Sequence, residues 1–107
     1  KKLQRFADLK TFSNTLEYPA GMKDKWSGFF KNDNPLVLEL ACGRGEYTVG
    51  MAQLFRNINF IGVDVKGNRM YIGAKKCLTE NITNAGFLRT QIEKLAEDFA
   101  PGEVDEI

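Results

Sequence analysis

The sequence predicts an α/β fold: a parallel sheet with flanking helices. Three observations predict it. Two short apolar runs, Leu36 to Leu40 and Asn59 to Asp64, each lead into a stretch with helical spacing. The first does so through a turn holding two glycines, Gly43 and Gly45. Beyond them the same alternation continues, giving the order β-α-β-α-β-α-β, which argues parallel strands joined by right-handed crossovers.

Residues 1–31 have no clean period and read as a basic, aromatic-containing N-terminal extension. Leu3, Phe6 and Leu9 fit one side of a short helix, and Tyr18-Pro19-Ala20-Gly21 reads as a turn. Phe12, Trp26, Phe29 and Phe30 interleave with lysines. That pattern serves base stacking in some proteins, but it more often packs an extension onto its domain. Asn32-Asp33-Asn34-Pro35 favours neither helix nor strand and sets the boundary with a core region, residues 32–107.

From Leu36 the pattern is regular. The first strand carries one acidic residue, Glu39, near its end. A helix follows from about Glu46 to Phe55, with Thr48, Met51, Ala52 and Phe55 at the spacing of one buried face. Arg56-Asn57 breaks it. The second strand, ending at Asp64, is apolar nearly throughout and so is expected to be buried on both faces. A second helix spans roughly Asn68 to Asn81, with Met70, Gly73, Ala74, Cys77 and Leu78 inward, which makes Cys77 a core residue. Gly86 to Arg89 fits a third strand. A third helix presents Ile92, Leu95, Ala96 and Phe99 and stops at Pro101-Gly102. Val104 to Ile107 reads as a fourth strand beginning, which predicts the N-terminal part of a larger domain, since an open edge leaves a parallel sheet incomplete.

Composition narrows the chemistry. With 107 residues, 43% of them hydrophobic, the chain holds one small core and no second one. No apolar run approaches the roughly 20 residues that span a bilayer, and no signal-peptide core follows the basic start, so a cytoplasmic protein with no membrane partner is expected. Two cysteines without a CxxC spacing imply neither a disulfide framework nor a zinc site. The absence of histidine removes the commonest general base and metal ligand. The charge, net +1, is uneven: residues 1–31 carry +4, residues 32–92 carry +2 and residues 93–107 carry −5. A basic leading arm suits a polyanionic partner such as RNA, although a solvated surface is the commoner meaning of such a run.

Three placements bear on ligand binding. The turn Ala41-Cys42-Gly43-Arg44-Gly45 lets backbone approach a ligand without Cβ obstruction. Glu39 lies near the carboxyl end of the first strand, where open α/β sheets bind ligands. Asp64 ends the next strand, where an acid accepts hydrogen bonds from ribose hydroxyls. Together they predict a nucleoside-binding half-domain. A dinucleotide fingerprint would place a third glycine where Thr48 stands. Glu46, at the helix start, repels a diphosphate but tolerates a cationic sulfonium with an amino-acid tail. The residues therefore lean toward S-adenosyl-L-methionine over a nicotinamide or flavin cofactor.

Glu39-Leu40-Ala41-Cys42-Gly43-Arg44-Gly45-Glu46 resembles motif I of the class I S-adenosylmethionine-dependent methyltransferases, which have a Rossmann-like fold. Three more segments extend the resemblance across essentially the whole chain: Leu3-Gln4-Arg5-Phe6-Ala7-Asp8-Leu9-Lys10-Thr11-Phe12, Asn59-Phe60-Ile61-Gly62-Val63-Asp64 and Asn84-Ala85-Gly86-Phe87-Leu88-Arg89. These are similar to the bacterial tRNA (guanine-N7-)-methyltransferase family. The resemblance implies that Glu39 meets the methionine end of the cofactor, that Gly43 and Gly45 form the turn beneath it, and that Asp64 takes the ribose. It puts Gln91 by the adenine amino group, where the family has an acidic residue; glutamine keeps a carbonyl acceptor but loses the charge. It further implies tRNA as partner, methyl transfer to N7 of a guanine in the variable loop, and no metal. The family's Pro-Asp-Pro segment, with its Asp where substrate and cofactor meet, would begin beyond Ile107. No catalytic residue is thus expected among residues 1–107, and the chain alone is expected to be inactive. The alternatives are a non-catalytic α/β fragment and a class I methyltransferase for another substrate.

Overall fold

The computed structural model describes residues 1–107. In chain order the elements are α1 (Lys2–Leu9), β1 (Thr15–Glu17), α2 (Trp26–Phe30), β2 (Leu36–Leu40), α3 (Glu46–Leu54), β3 (Asn59–Asp64), α4 (Gly67–Thr79) and β4 (Ala85–Arg89), then a 3₁₀ segment, Ile92–Glu97. The four strands form one wholly parallel sheet in the order β1-β4-β3-β2. β3 lies at its centre, and its first five residues are buried, as an apolar strand covered on both faces must be.

The single domain buries a hydrophobic cluster on each face of its sheet. On one side α1, α3 and α4 cover Phe60 and Phe87, with Leu9, Val49, Ala52, Met70, Ala74 and Cys77 between. On the other, Trp26 and Phe30 of α2 close over Leu36, Leu38, Ile61, Val63 and Leu88. Trp26 is 3% exposed, stacks on Phe99 at 5.1 Å, and donates its indole N–H to the Asp98 carbonyl at 2.8 Å. The aromatics of the leading segment thus pack the protein's own core. Buried apolar area of this kind contributes about 25 cal/mol per Å².

Several sequence expectations need correction. The leading segment supplies β1, an edge strand in register with β4 (Leu16 opposite Leu88), and the short helix α2; neither was expected. Phe55 lies past the end of α3 and is 47% exposed, and Val49 fills the buried face in its place. Leu78 is 42% exposed on the flank of α4. The expected third helix is the six-residue 3₁₀ segment, in which no residue is fully buried. At the outer edge of β2 the expected fourth strand is a single bridge, Val37 to Glu106, with backbone bonds Leu38 N–H to Glu106 (2.9 Å) and Asp105 N–H to Leu36 (2.8 Å). Beside it runs an apolar groove of about 470 Å³ that includes Leu40, Tyr47, Met51, Phe55 and Ile107.

Candidate functional site

The site sits at the carboxyl ends of β2 and β3, where the chain leaves each strand for a helix. After Leu40 the backbone turns through Ala41 (φ +57°), Gly43 (φ +56°) and Gly45 (φ +78°). The turn is closed by Gly45 N–H to the Cys42 carbonyl at 2.9 Å and tied to β3 by Cys42 N–H to the Val63 carbonyl at 2.9 Å. Both glycines stand in the left-handed region that side chains disfavour. Gly45 is fixed by packing as well, because a Cβ there would lie 2.7 Å from the Phe87 ring. At Gly43 a Cβ would meet only the Arg69 guanidinium, 4.0 Å away, so the backbone there is open to approach. The close helix–sheet packing that a third glycine in the turn would give is supplied instead by Gly73 of α4, where a Cβ would be 2.6 Å from the Arg44 carbonyl.

Asp64 joins the two strand ends. Its Oδ2 accepts the Gly43 N–H at 2.8 Å, and its Oδ1 accepts the Val65 and Lys66 N–H groups at 2.7 and 3.1 Å. A carboxylate has about four acceptor positions, so one remains on Oδ2. The Asp64 backbone carbonyl accepts the Thr90 N–H at 3.0 Å, which brings the end of β4 alongside. Gln91, the next residue, is exposed there and makes no side-chain hydrogen bond within the protein.

Glu39 is half-buried, and its Oε1 accepts the hydroxyl of Thr48 at 2.5 Å. Thr48, 1% exposed, lies in the first turn of α3. In the sequence Thr48 shows its helix face and its place in the missing fingerprint, but not this bond to Glu39. Gly62 makes this arrangement fit: a Cβ at that position would stand 2.9 Å from the Cys42 sulfur and 3.0 Å from the Thr48 hydroxyl. Cys42 is enclosed here. Burial, then the Asp64 and Glu39 carboxylates, pushes its thiol up to about 12, so it stays protonated and is no nucleophile at neutral pH. Burial likewise raises Cys77 to about 11, as befits a core residue.

Glu39, Gly43, Gly45 and Asp64 therefore lie at adjoining strand ends, with Glu39 also lining the apolar groove at the outer edge of β2, and Gln91 follows the end of β4. No group of three or more acidic, cysteine or histidine side chains is arranged to hold a metal, and no helix is long and apolar enough to cross a membrane.

Comparison with known proteins bears on the family and the fold. A family model described as "Putative methyltransferase" matches residues 33–107. The tRNA (guanine-N(7)-)-methyltransferase of Bacteroides fragilis is 51% identical over 99% of this chain and 46% of its own length, and that of Porphyromonas gingivalis is 48% identical over 92% and 45%. The chain spans just under half the length of these relatives. Among solved structures, PKMT2 from Rickettsia typhi in complex with AdoHcy superposes with a TM-score of 0.51 at 25% identity, covering 59% of this chain and 12% of that one. Coclaurine N-methyltransferase, bound to N-methylheliamine and SAH, gives 0.50 at 21% identity, covering 82% and 22%. The fold is that of the class I methyltransferases, and the chain belongs to the methyltransferase family whose model spans β2 to β4 and the strand-end turn.

Proposed function

We propose that this chain is the S-adenosyl-L-methionine-binding part of a tRNA (guanine-N7-)-methyltransferase. The observation that carries the reading is the placing of Glu39, the open turn at Gly43 and Asp64 at adjoining strand ends, in a chain about 50% identical to relatives of that name. The binding role falls to residues 32–107, with residues 1–31 as the segment that closes the sheet edge.

The residues fit the cofactor by their chemistry. Glu39 has Oε1 held by Thr48, which leaves Oε2 as acceptor for the ammonium of an amino-acid tail. Gly43 and Gly45 bring backbone close beneath that tail. The acceptor position remaining on Asp64 Oδ2 takes one ribose hydroxyl, and the Gln91 carbonyl takes the adenine amino group. When bound, the cofactor supplies a methyl group on a positively charged sulfur. The two carboxylates and the Glu46 side chain favour that charge over a diphosphate.

Guanine N7 has a free lone pair and no proton to remove, so the reaction needs no strong general base, and a chain without histidine is compatible with it. What the protein supplies is position: a nucleophile held in line with its target gains most of its rate from lost freedom already taken up in binding. These residues fix one of the two partners, and the intact enzyme's remaining part orients the guanine.

The test is to incubate the intact protein with isotope-labelled S-adenosylmethionine and a tRNA pool, then map the modified base by strand scission at N7-methylguanine. Cleavage in the variable loop is the expected result. Label on another base would assign a different substrate, and no transfer to any nucleic acid would end the proposal.

A further inference from the structure

The outer surface formed by α1 and α4, which meets the cofactor turn only where Arg69 and the Lys66 N–H approach Gly43 and Asp64, has a marked charge. Residues 1–10 and 66–80, the two helices with their caps, hold eight Lys or Arg and two acids, Asp8 and Glu80. Their balance is +6 in a chain of net +1, so everything else sums to −5. Lys2, Lys66, Arg69, Lys75 and Lys76 are exposed, and Arg5 is half-buried. The molecule's two ion pairs both use Glu17, and of this layer only Lys10 joins one, at 3.9 Å. None of the other cations has a carboxylate within 4.0 Å.

The cations are also held near one another. Arg5 reaches from α1 to α4, donating to the Asn68 carbonyl at 3.4 Å, and its guanidinium lies 5.5 Å from the centre of the Tyr71 ring. The Lys75 ammonium lies 5.6 Å from the same ring. Tyr71 is itself backed by Phe12, stacked at 5.5 Å. Two like charges share one aromatic support, an arrangement that leaves their mutual repulsion to solvent or to an anionic partner. Lys66 and Lys76 stand about 15 Å apart along α4 at the α-helical rise, farther than a single small anion bridges.

We infer that the α1–α4 layer is a docking face for the phosphodiester backbone of RNA, bordering the cofactor turn at Lys66 and Arg69 and positioning the substrate by its backbone instead of its bases. The choice of RNA as the polyanion rests on the functional reading above. Contacts of this kind set register and affinity, carry no sequence information, and make binding steeply salt-dependent.

The experiment uses the intact protein, a fluorescently labelled tRNA and an RNA hairpin lacking a variable loop, with binding followed by anisotropy from low to high salt. The variant is Lys1→Gln/Lys2→Gln/Lys75→Gln, all exposed positions away from the turn; Lys94→Gln, on the 3₁₀ segment, is the control. The log–log salt slope is expected to fall by about 2 to 3, at roughly 0.7–0.9 per lost phosphate contact. Kd at moderate salt should rise about tenfold to a hundredfold for both RNAs, by the same counterion argument. Calorimetric affinity for S-adenosylmethionine should stay unchanged, and the control should match the parent. An unaltered slope and Kd would overturn the inference. So would loss of binding to phosphatidylserine vesicles with RNA binding intact, which would assign the face to a membrane surface. Methylation of some other RNA base, with the slope still reduced, would refute the functional reading and uphold the docking face.

Discussion

Thr48 is the most informative position to perturb, because its hydroxyl and its methyl group do separate jobs. The hydroxyl donates to Glu39 at 2.5 Å from a site that is 1% exposed. A hydrogen bond to a charged group contributes about 1.5–3 kcal/mol. Thr48→Val keeps the shape and removes the donor, so the half-buried carboxylate loses its anchor and can rotate away from the crevice. We expect a stability loss of about 1–3 kcal/mol and about a tenfold weaker S-adenosylmethionine affinity, the latter being roughly 1.4 kcal/mol. Thr48→Ser keeps the donor and removes one buried methyl, costing about 1 kcal/mol of stability, while cofactor affinity stays near that of the parent. Urea denaturation and calorimetric titration of the intact protein measure the two effects. Equal loss of affinity in both variants, or wild-type affinity in Thr48→Val, would refute the claim that the hydroxyl aims Glu39.

Further outcomes follow from the same geometry. Gly62→Ala puts a Cβ 2.9–3.0 Å from Cys42 and Thr48; overpacking there is expected to cost about 1–3 kcal/mol, and a neutral urea midpoint would contradict it. Asn84, 5% exposed, donates from one amide nitrogen to the Ala52, Phe55 and Ile58 carbonyls at 3.0, 3.0 and 2.8 Å. Asn84→Ala should therefore loosen the turn from α3 into β3 at a cost of about 2–3 kcal/mol, read as a lower thermal midpoint. Alkali should destabilise the fold through its thiols. Both cysteines hold their protons more tightly folded than unfolded, so the stability they contribute is complete below pH 9 and is lost as pH rises toward about 11 for Cys77 and about 12 for Cys42. The slope is about 1.4 kcal/mol per pH unit for each thiol, and Cys42→Ser should flatten the higher part of the profile.

The strands and the turn of the candidate site were legible where local pattern and tertiary structure agree. Leu36–Leu40 and Asn59–Asp64 have their observed bounds in the sequence because each is a short, mainly apolar run closed by turn or polar residues; only the second is buried on both faces. The turn was legible because few residues besides glycine accept positive φ twice within three positions. β1 was not: three residues at a sheet edge, Thr15 to Glu17, are too few to show a period, and their place is set by β4, distant in sequence. Periodicity likewise misplaced Phe55, Leu78 and Ile92, since helical spacing says which residues share a side but not where a neighbouring element ends. Thr48 was assigned its face and not its partner. A hydroxyl bonding to a carboxylate nine residues back depends on how α3 crosses the end of β2, which only the assembled structure displays.

The central claim is that Glu39 and Asp64 are two ends of one cofactor site. Titrating S-adenosylmethionine into the intact protein by calorimetry, with Glu39→Gln and Asp64→Asn as separate variants, tests it most directly. Both substitutions keep size and remove charge. Each is expected to weaken binding by at least tenfold while circular dichroism reports an unchanged fold. Parent-like affinity in both folded variants would contradict it.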